Sequence, residues 1–422
     1  MNRIWGKLRV DWVSWAIGLA VFLFHIWHVP AAAHGAIFQK ENLAFDYDIR
    51  RFASLWAVTP FPVEQNDAYY AVRHPLVVAV RMLCLPFARN GLDPQTVACG
   101  IAAACSGLSS VLAYRIARTL EISCPLAVVL TGLWTFSTTS LLLGVLPETY
   151  GLALVALSWQ LILALRWSQG DTPSTLVRVA SGVVNLGITV TNVVLSGLVE
   201  LLCRLRHQSA DKAVIGAGGF GAAVAAIGLT LSAASFHFWP VDHINSTVAS
   251  AKQLYWSASA AKDNPKWQSP AEVAWTFGGI AFVAPSVAAY PSGDVTFPYL
   301  YDLRGQTYDL LGRMAILGWL ILLALGVVAA AKDRRFRPVW ILAATWIIAN
   351  IALHSYWQFR ETVFLYAAHS HMAFFIFALA GGRWIQEANR RCRVAYIAVL
   401  CLTTTLVIAN NIPLYQSLAR LS

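Results

Sequence analysis

Met314-AILGWLILLALGVVAA-Ala331 is an eighteen-residue run without a charge, and it stops abruptly at Lys332-Asp333-Arg334-Arg335-Phe336-Arg337. A helix of about this length spans the hydrocarbon core of a bilayer. A basic segment at its end fixes which way it points, because Lys and Arg are retained on the cytoplasmic side. The pattern repeats along the chain. About eleven apolar segments approach spanning length: Trp12 to Val29, Pro75 to Phe87, Thr96 to Ala117, Leu126 to Leu146, Tyr150 to Leu165 and Val179 to Leu202, then Ala213 to Phe236, Met314 to Ala331, Val339 to Leu353, Val363 to Leu379 and Val394 to Ile412. The fold expected is an all-α, polytopic transmembrane helix bundle of about eleven helices, forming a single domain over residues 1–422.

Composition agrees. Apolar residues make up 58% of the chain and charged residues only 12%, half of what a soluble surface requires, and the mean hydropathy is +0.58. The net charge of +10 does not point to nucleic acid, because the basic residues sit at the ends of apolar runs. The seven cysteines lie in or beside those runs without CxxC spacing, as small buried hydrophobes do. The first run follows Arg3, Lys7 and Arg9 and lacks a convincing small-residue cleavage site before the chain continues. It is expected to remain as a first helix rather than to be removed as a signal peptide.

With the N-terminus cytoplasmic, alternate counting places Arg204 to Lys212, Lys332 to Arg337 and Arg383 to Arg393 on the cytoplasmic side of a plasma membrane. Three regions then face outward: 30–74, 237–312 and the short connection Tyr356 to Glu361. The same count puts Pro147-Glu148-Thr149-Tyr150 on the cytoplasmic side, where it reads as a tight turn with Glu148 favourable at a helix N-terminus.

In the first outer loop, Phe45, Ile49, Phe52 and Trp56 recur as one helical stripe, which predicts a helix lying in the membrane interface. Asp46, Asp48, Arg50 and Arg51 occupy its other arc. They fit two roles. Asp46–Arg50 and Asp48–Arg51 have the spacing of surface ion pairs. Alternatively, one Asp is a general base that takes a proton from an acceptor hydroxyl as it attacks a sugar carbon, with arginines beside it holding a phosphate leaving group. Arg73 and His74, at the mouth of the second segment, suit phosphate binding and headgroup anchoring equally.

An Asp-bearing first outer loop with an interfacial helix, followed by His74-Pro75-Leu76, resembles the GT-C superfamily of membrane glycosyltransferases. That superfamily includes protein O-mannosyltransferases and the aminoarabinose transferase of lipid A. The resemblance covers roughly the first third of the chain. It implies a polyprenyl-phosphate-linked sugar donor, a glycan, lipid or protein acceptor, and an outward site at a bacterial inner membrane with an Asp of the first loop as base. Here that is Asp48, in Tyr-Asp-x-x-Arg, or Asp46. The common form has adjacent Asp and Glu, whereas Tyr47 separates the two acids here, so which Asp acts stays open. Whether a divalent metal takes part stays open too. Pro147 to Tyr150 also looks like a feature of bacterial members. The stretch Arg360-Glu361-Thr362-Val363-Phe364-Leu365-Tyr366 resembles a late-helix pattern of the class, which implies substrate contacts at Arg360, Glu361 and Tyr366.

Other polar residues stand out without that resemblance. Asn185, Thr189, Asn192 and Ser196 form a polar stripe in the sixth segment, suited to helix–helix hydrogen bonding or to lining a donor cavity. His369 and His371 lie in an apolar run, where ionisable groups are functional candidates, and His369 is counted with the substrate-binding residues. Two positions apart, these histidines do not share a helix face, which argues against a metal held by the pair. The long region 237–312 is expected to cover the acceptor side. Two competing classes remain: a multi-pass transporter or lipid-linked sugar flippase, and a non-enzymatic assembly subunit. No repeat relates the halves of the chain, which weighs against a transporter built from inverted repeats.

Overall fold

The computed structural model describes residues 12–35, 76–238, 269–286, 288–289, 295–296, 300, 307–357 and 363–420. Apart from a two-residue strand pair, Ala288–Ala289 with Val295–Thr296, the regular elements among them are helical. They are α1 (Trp12–His34), α2 (Val77–Arg89), α3 (Pro94–Thr119), α4 (Cys124–Thr135), α5 (Thr138–Leu143), α6 (Thr149–Ser168), α7 (Thr175–Ile188) and α8 (Val193–Leu205). Then come α9 (Ala210–Phe238), α10 (Pro270–Trp275), α11 (Leu310–Lys332), α12 (Arg337–Trp357), α13 (Val363–Ile385) and α14 (Arg390–Arg420). Eight of these, α1, α3, α6, α9, α11, α12, α13 and α14, are long and apolar enough to cross a membrane. α13 is the central one, with nearly every side chain buried.

The contacts divide the bundle into two ends. At one, which we call the basic end, Glu121 accepts hydrogen bonds from Arg335 at 2.7 Å and Arg383 at 2.9 Å. Arg383 also donates to Asp333 at 3.2 Å, and Gln386 accepts from the Ser123 amide at 2.7 Å. Glu121 reaches this position with a left-handed φ of 64°, just beyond the last turn of α3. Burial by itself would raise its carboxyl, but the hydrogen bonds and charges of Arg335 and Arg383 together hold it below the ordinary carboxylate value. Ser14 and Trp15 belong to this end, because Arg115 reaches both. So does Gln169, which donates to the Thr119 carbonyl.

At the other, loop end, Val29 and Ala33 of α1 pack with Val97 and Ala98 of α3, with Leu142 and Leu146 after α4, and with Leu414 and Leu418 of α14. α1 and α3 are therefore antiparallel. Their backbones touch through two glycines: a Cβ at Gly107 would stand 2.7 Å from the Gly18 carbonyl oxygen. The connections outside the described residues, 36–75, 239–268, 301–306 and 358–362, each join residues that lie at this loop end.

Two expected crossings are not crossings. α2 has thirteen residues, about 20 Å of helix against the roughly 30 Å needed. Its Val80 and Cys84 pack in the loop-end cluster, and α3 starts from that same end, so Pro75 to Phe87 does not traverse the bundle. The segment Val179 to Leu202 is likewise no single helix. It breaks at a 3₁₀ turn, Val190–Asn192, and α7 and α8 form a hairpin that enters from the basic end and returns to it. At its base Glu200 accepts from Arg178 at 2.7 Å and from Arg204 at 2.7 Å. Nearer its apex Asn185 donates to Ser196 at 3.0 Å.

These two departures shift the alternate count twice and restore it. That is why the basic segments at 204–212, 332–337 and 383–393 still fall together. Between the departures the count is inverted, so Pro147 to Tyr150 sits at the loop end and not, as alternate counting has it, with the basic segments.

Part of the region 237–312 enters the bundle instead of lying over it. Ser269 caps α10 through a capping box with Glu272, and a π-turn over Thr276–Ile280 carries the chain inward. Phe277 and Ile280 to Ala284 are fully buried. Non-helical backbone at such depth needs partners from neighbouring side chains, and here it has them. Trp319 donates to the Gly278 carbonyl at 2.6 Å, and Tyr308 to Val283 at 3.1 Å. Asn410 donates to Ala284, and Asn411 accepts from the Ala284 amide and donates to the Phe282 and Phe136 carbonyls. The break between α4 and α5 meets the same segment, with the Thr139 amide donating to the Ala281 carbonyl at 2.9 Å.

Candidate functional site

Beneath the loop end, three helices bring four rings together. Tyr366 and His369 are one turn apart on α13, with ring centroids 5.8 Å apart. His354, in the last turn of α12, stacks on Tyr366 at 4.3 Å and lies 6.2 Å from His369. Tyr150, in the first turn of α6, is 5.4 Å from Tyr366 and 5.5 Å from His369. Phe277 of the π-turn closes the side of His354 at 5.6 Å. The backbone is held as well, since Trp346 donates to the His369 carbonyl at 2.6 Å.

Burial is close to complete: His354 is 1% exposed, His369 is 2% and Glu148, next to the start of α6, is 2%. Both ring nitrogens of His354 lack a hydrogen-bond partner among the described residues. An imidazole carries a donor and an acceptor, and leaving both unmet in an apolar setting costs about 1–3 kcal/mol for each. A ring in that state, stacked on Tyr366 and met edge-on by Phe277, is suited to meet a polar ligand atom.

The other buried histidines occupy separate places. His371, on the opposite face of α13, shares a hydrogen bond with Ser137 at 2.8 Å and packs between Trp134 and Phe282. His25 joins Tyr415 and Ser106, each at 3.0 Å. Both are tied into the bundle. The faces of His369 and His371 diverge as their spacing requires. Among the described residues, no three His, Cys, Asp or Glu side chains form a metal-binding group.

Of the residues singled out in the sequence, Tyr366 and His369 come together in this cluster. Asp46, Asp48, Arg51, Arg73, His74, Arg360 and Glu361 lie outside the described residues. Sequence reasoning missed His354 and set Tyr150 aside. The signal for His354 was present: it is an ionisable residue at the mouth of an apolar run, as far before the connection 358–362 as Tyr366 is after it. The signal for Tyr150 was hidden by the miscounted second segment.

The polar stripe of the sixth segment also has a place. Asn185 and Ser196 meet across the two arms of the hairpin, and Gln160 of α6 accepts from Ser181 and, at 3.3 Å, from Asn185. Towards the apex, polar atoms of Thr189, Thr191 and Asn192 are buried without a hydrogen-bond partner among the described residues.

Compared with models of known protein families, with curated proteins and with solved structures, the chain matches none.

Proposed function

We propose that the chain is a membrane glycosyltransferase of GT-C type, which moves a sugar from a polyprenyl phosphate to an acceptor at the loop end. The observation that carries this is the convergence of elements there. The connections bearing Asp46, Asp48, Arg51, Arg73 and His74, and those bearing Arg360 and Glu361, join helices at the same end. The buried cluster of Tyr150, His354, Tyr366 and His369 lies at that same end. The basic end would face the cytoplasm and the loop end would face outward, following the bias of Lys and Arg, in a plasma membrane such as the bacterial inner membrane.

In this mechanism Asp48 takes the proton of the acceptor hydroxyl while that oxygen bonds to the anomeric carbon, with Asp46 as the second acid. The bond from that carbon to the phosphate oxygen breaks, and the polyprenyl phosphate leaves with the electron pair. Arg51, Arg73, His74 and Arg360 hold the growing charge on the phosphate. Glu361, Tyr366 and His369 contact the substrates. The test is transfer from a lipid-linked sugar by the reconstituted protein. Asp48→Asn is expected to insert normally and to abolish transfer; wild-type activity in both Asp48→Asn and Asp46→Asn would rule out the base.

A transporter or flippase of lipid-linked sugar is the second reading. What favours it is that broken helices enter the bundle from both ends, at Val190–Asn192 and at Thr276–Ile280, an arrangement transporters use at their binding sites. Movement of labelled lipid-linked sugar across proteoliposomes without a transfer product would select it.

A further inference from the structure

The apex of the α7–α8 hairpin contains polar groups that the fold itself does not use. Asn192 is fully buried and stands at the N-cap of α8, yet its side chain makes no capping bond. Neither its amide nitrogen nor its amide oxygen has a partner among the described residues, and the same holds for the hydroxyls of Thr189 and Thr191 and for the Asn185 amide oxygen. In a membrane interior such groups demand partners. The hairpin supplies none, although Asn185 and Ser196 one turn below are mutually bonded.

Charge distinguishes what they suit. The 3₁₀ turn Val190–Asn192 runs directly into α8, so the positive dipole end of the second arm lies at the apex. The only carboxylate on the two arms is Glu200, which is already clamped by Arg178 and Arg204, so the hairpin carries a net positive charge. An anion is favoured over a cation. Position distinguishes the source. Asn185 meets Gln160, eleven residues below the first residue of α6, so the apex reaches to within about 10 Å of the loop end. The outer face of the hairpin is apolar and open, with Val184 39%, Val190 54% and Val194 50% exposed. A ligand with a long hydrocarbon chain could lie along these valines with its head turned in to Asn192.

We propose that the apex, Thr189 to Asn192, binds the phosphate of a lipid. Phosphate oxygens accept from the Asn192 side-chain amide and the two threonine hydroxyls, while the chain stays against the valine face. The assignment stands apart from sugar transfer. Where the lipid is a polyprenyl phosphate, it places part of the donor site proposed above.

The experiment uses the full chain in detergent, with decaprenyl phosphate, decaprenol, phosphatidic acid and inorganic phosphate as probes, and reads affinity by intrinsic fluorescence. At least one phosphate-bearing lipid is expected to bind about tenfold more tightly than decaprenol, the factor that one charge-assisted hydrogen bond supplies. Which of the two lipids binds identifies the class. Asn192→Leu and Asn192→Asp should each remove that tenfold advantage. Equal affinity for decaprenol and both phosphate lipids, unchanged affinity in both variants, or inorganic phosphate binding as well as either lipid would overturn the assignment. Should the variants fail to fold, a benzophenone side chain in place of exposed Val190 is expected to photolabel the phosphate lipid, and no labelling overturns it. Because the readout is binding, a chain that binds but transfers no sugar removes the transferase reading alone. An active chain whose Asn192 variants bind normally removes the apex site alone.

Discussion

Arg178 and Glu200 sit on opposite arms of the hairpin, 22 positions apart in the chain, with Nη1 of the first 2.7 Å from Oε1 of the second. The Arg178 guanidinium also lies over the Trp167 ring at 4.7 Å, and Arg204 completes the clamp at 2.6 Å. The glutamate is thus the pin that holds two half-helices to each other at their base. Glu200→Gln should leave two half-buried cations without their counter-charge and destabilise the chain by up to about 3 kcal/mol. Thermal unfolding in detergent measures this. A midpoint unchanged from the parent protein would mean the triad is not what closes the hairpin.

Among the described glycines, Gly326 of α11 leaves the least room for a side chain. A Cβ there would stand 1.9 Å from the Phe377 carbonyl oxygen, and small residues are what allow membrane helices to approach so closely. Gly326→Ala is expected to push α11 from α13 at a cost of about 3 kcal/mol. Gly218→Ala, in α9 where nothing lies within 4 Å, serves as the control and should keep or slightly raise the midpoint. Similar unfolding midpoints for the two variants would contradict the packing described.

The Glu121 carboxyl is held below its ordinary value by Arg335 and Arg383 against the opposing effect of burial. A depressed carboxylate contributes stability above its unfolded value, about 4.3, and loses it as pH falls through the lower folded value. Glu121→Gln should therefore lower the unfolding midpoint at pH 7, and the gap from the parent should close below about pH 4. The side chain is 48% exposed, so solvent screening limits the effect to about 1 kcal/mol or less. A gap that widens on acidification would reverse the sign and reject the network as its cause.

His354 is expected to act through its nitrogens and not its shape. His354→Phe keeps a flat ring to stack on Tyr366, so folding should survive, while transfer of sugar should drop by about 10²-fold if the imidazole meets a reacting or departing oxygen. Steady-state rates with a lipid-linked donor give the comparison. Full activity in the phenylalanine variant would reduce His354 to packing.

Membrane residence was legible because run length and charge follow directly from the cost of bare backbone and charge in hydrocarbon. The course of the chain was harder to read. Pro75 to Phe87 is apolar like a crossing helix but a turn or two too short to be one, and composition does not separate an end-on helix from a spanning one. Val179 to Leu202 has spanning length and no proline. Its Asn185, Thr189, Asn192 and Ser196 keep helical spacing, so the break at Val190 shows only through tertiary contacts such as Asn185 with Ser196. Tyr366 and His369 stand three positions apart on one helix, whereas Tyr150 and His354 join them from other helices, which no local pattern reports.

The buried run from Gly278 to Ala284 has a consequence for how the protein is made. Its amide at Ala284 and its carbonyls at Phe282 and Ala284 are met by Asn410 and Asn411, residues that a ribosome adds more than a hundred positions later. Until α14 has entered the membrane, the groups at Phe282 and Ala284 lack these partners. An early-made segment therefore settles fully only when a late-made helix arrives. A nascent chain halted before Asn410 should expose the stretch to protease or to thiol labelling, and one released after it should not.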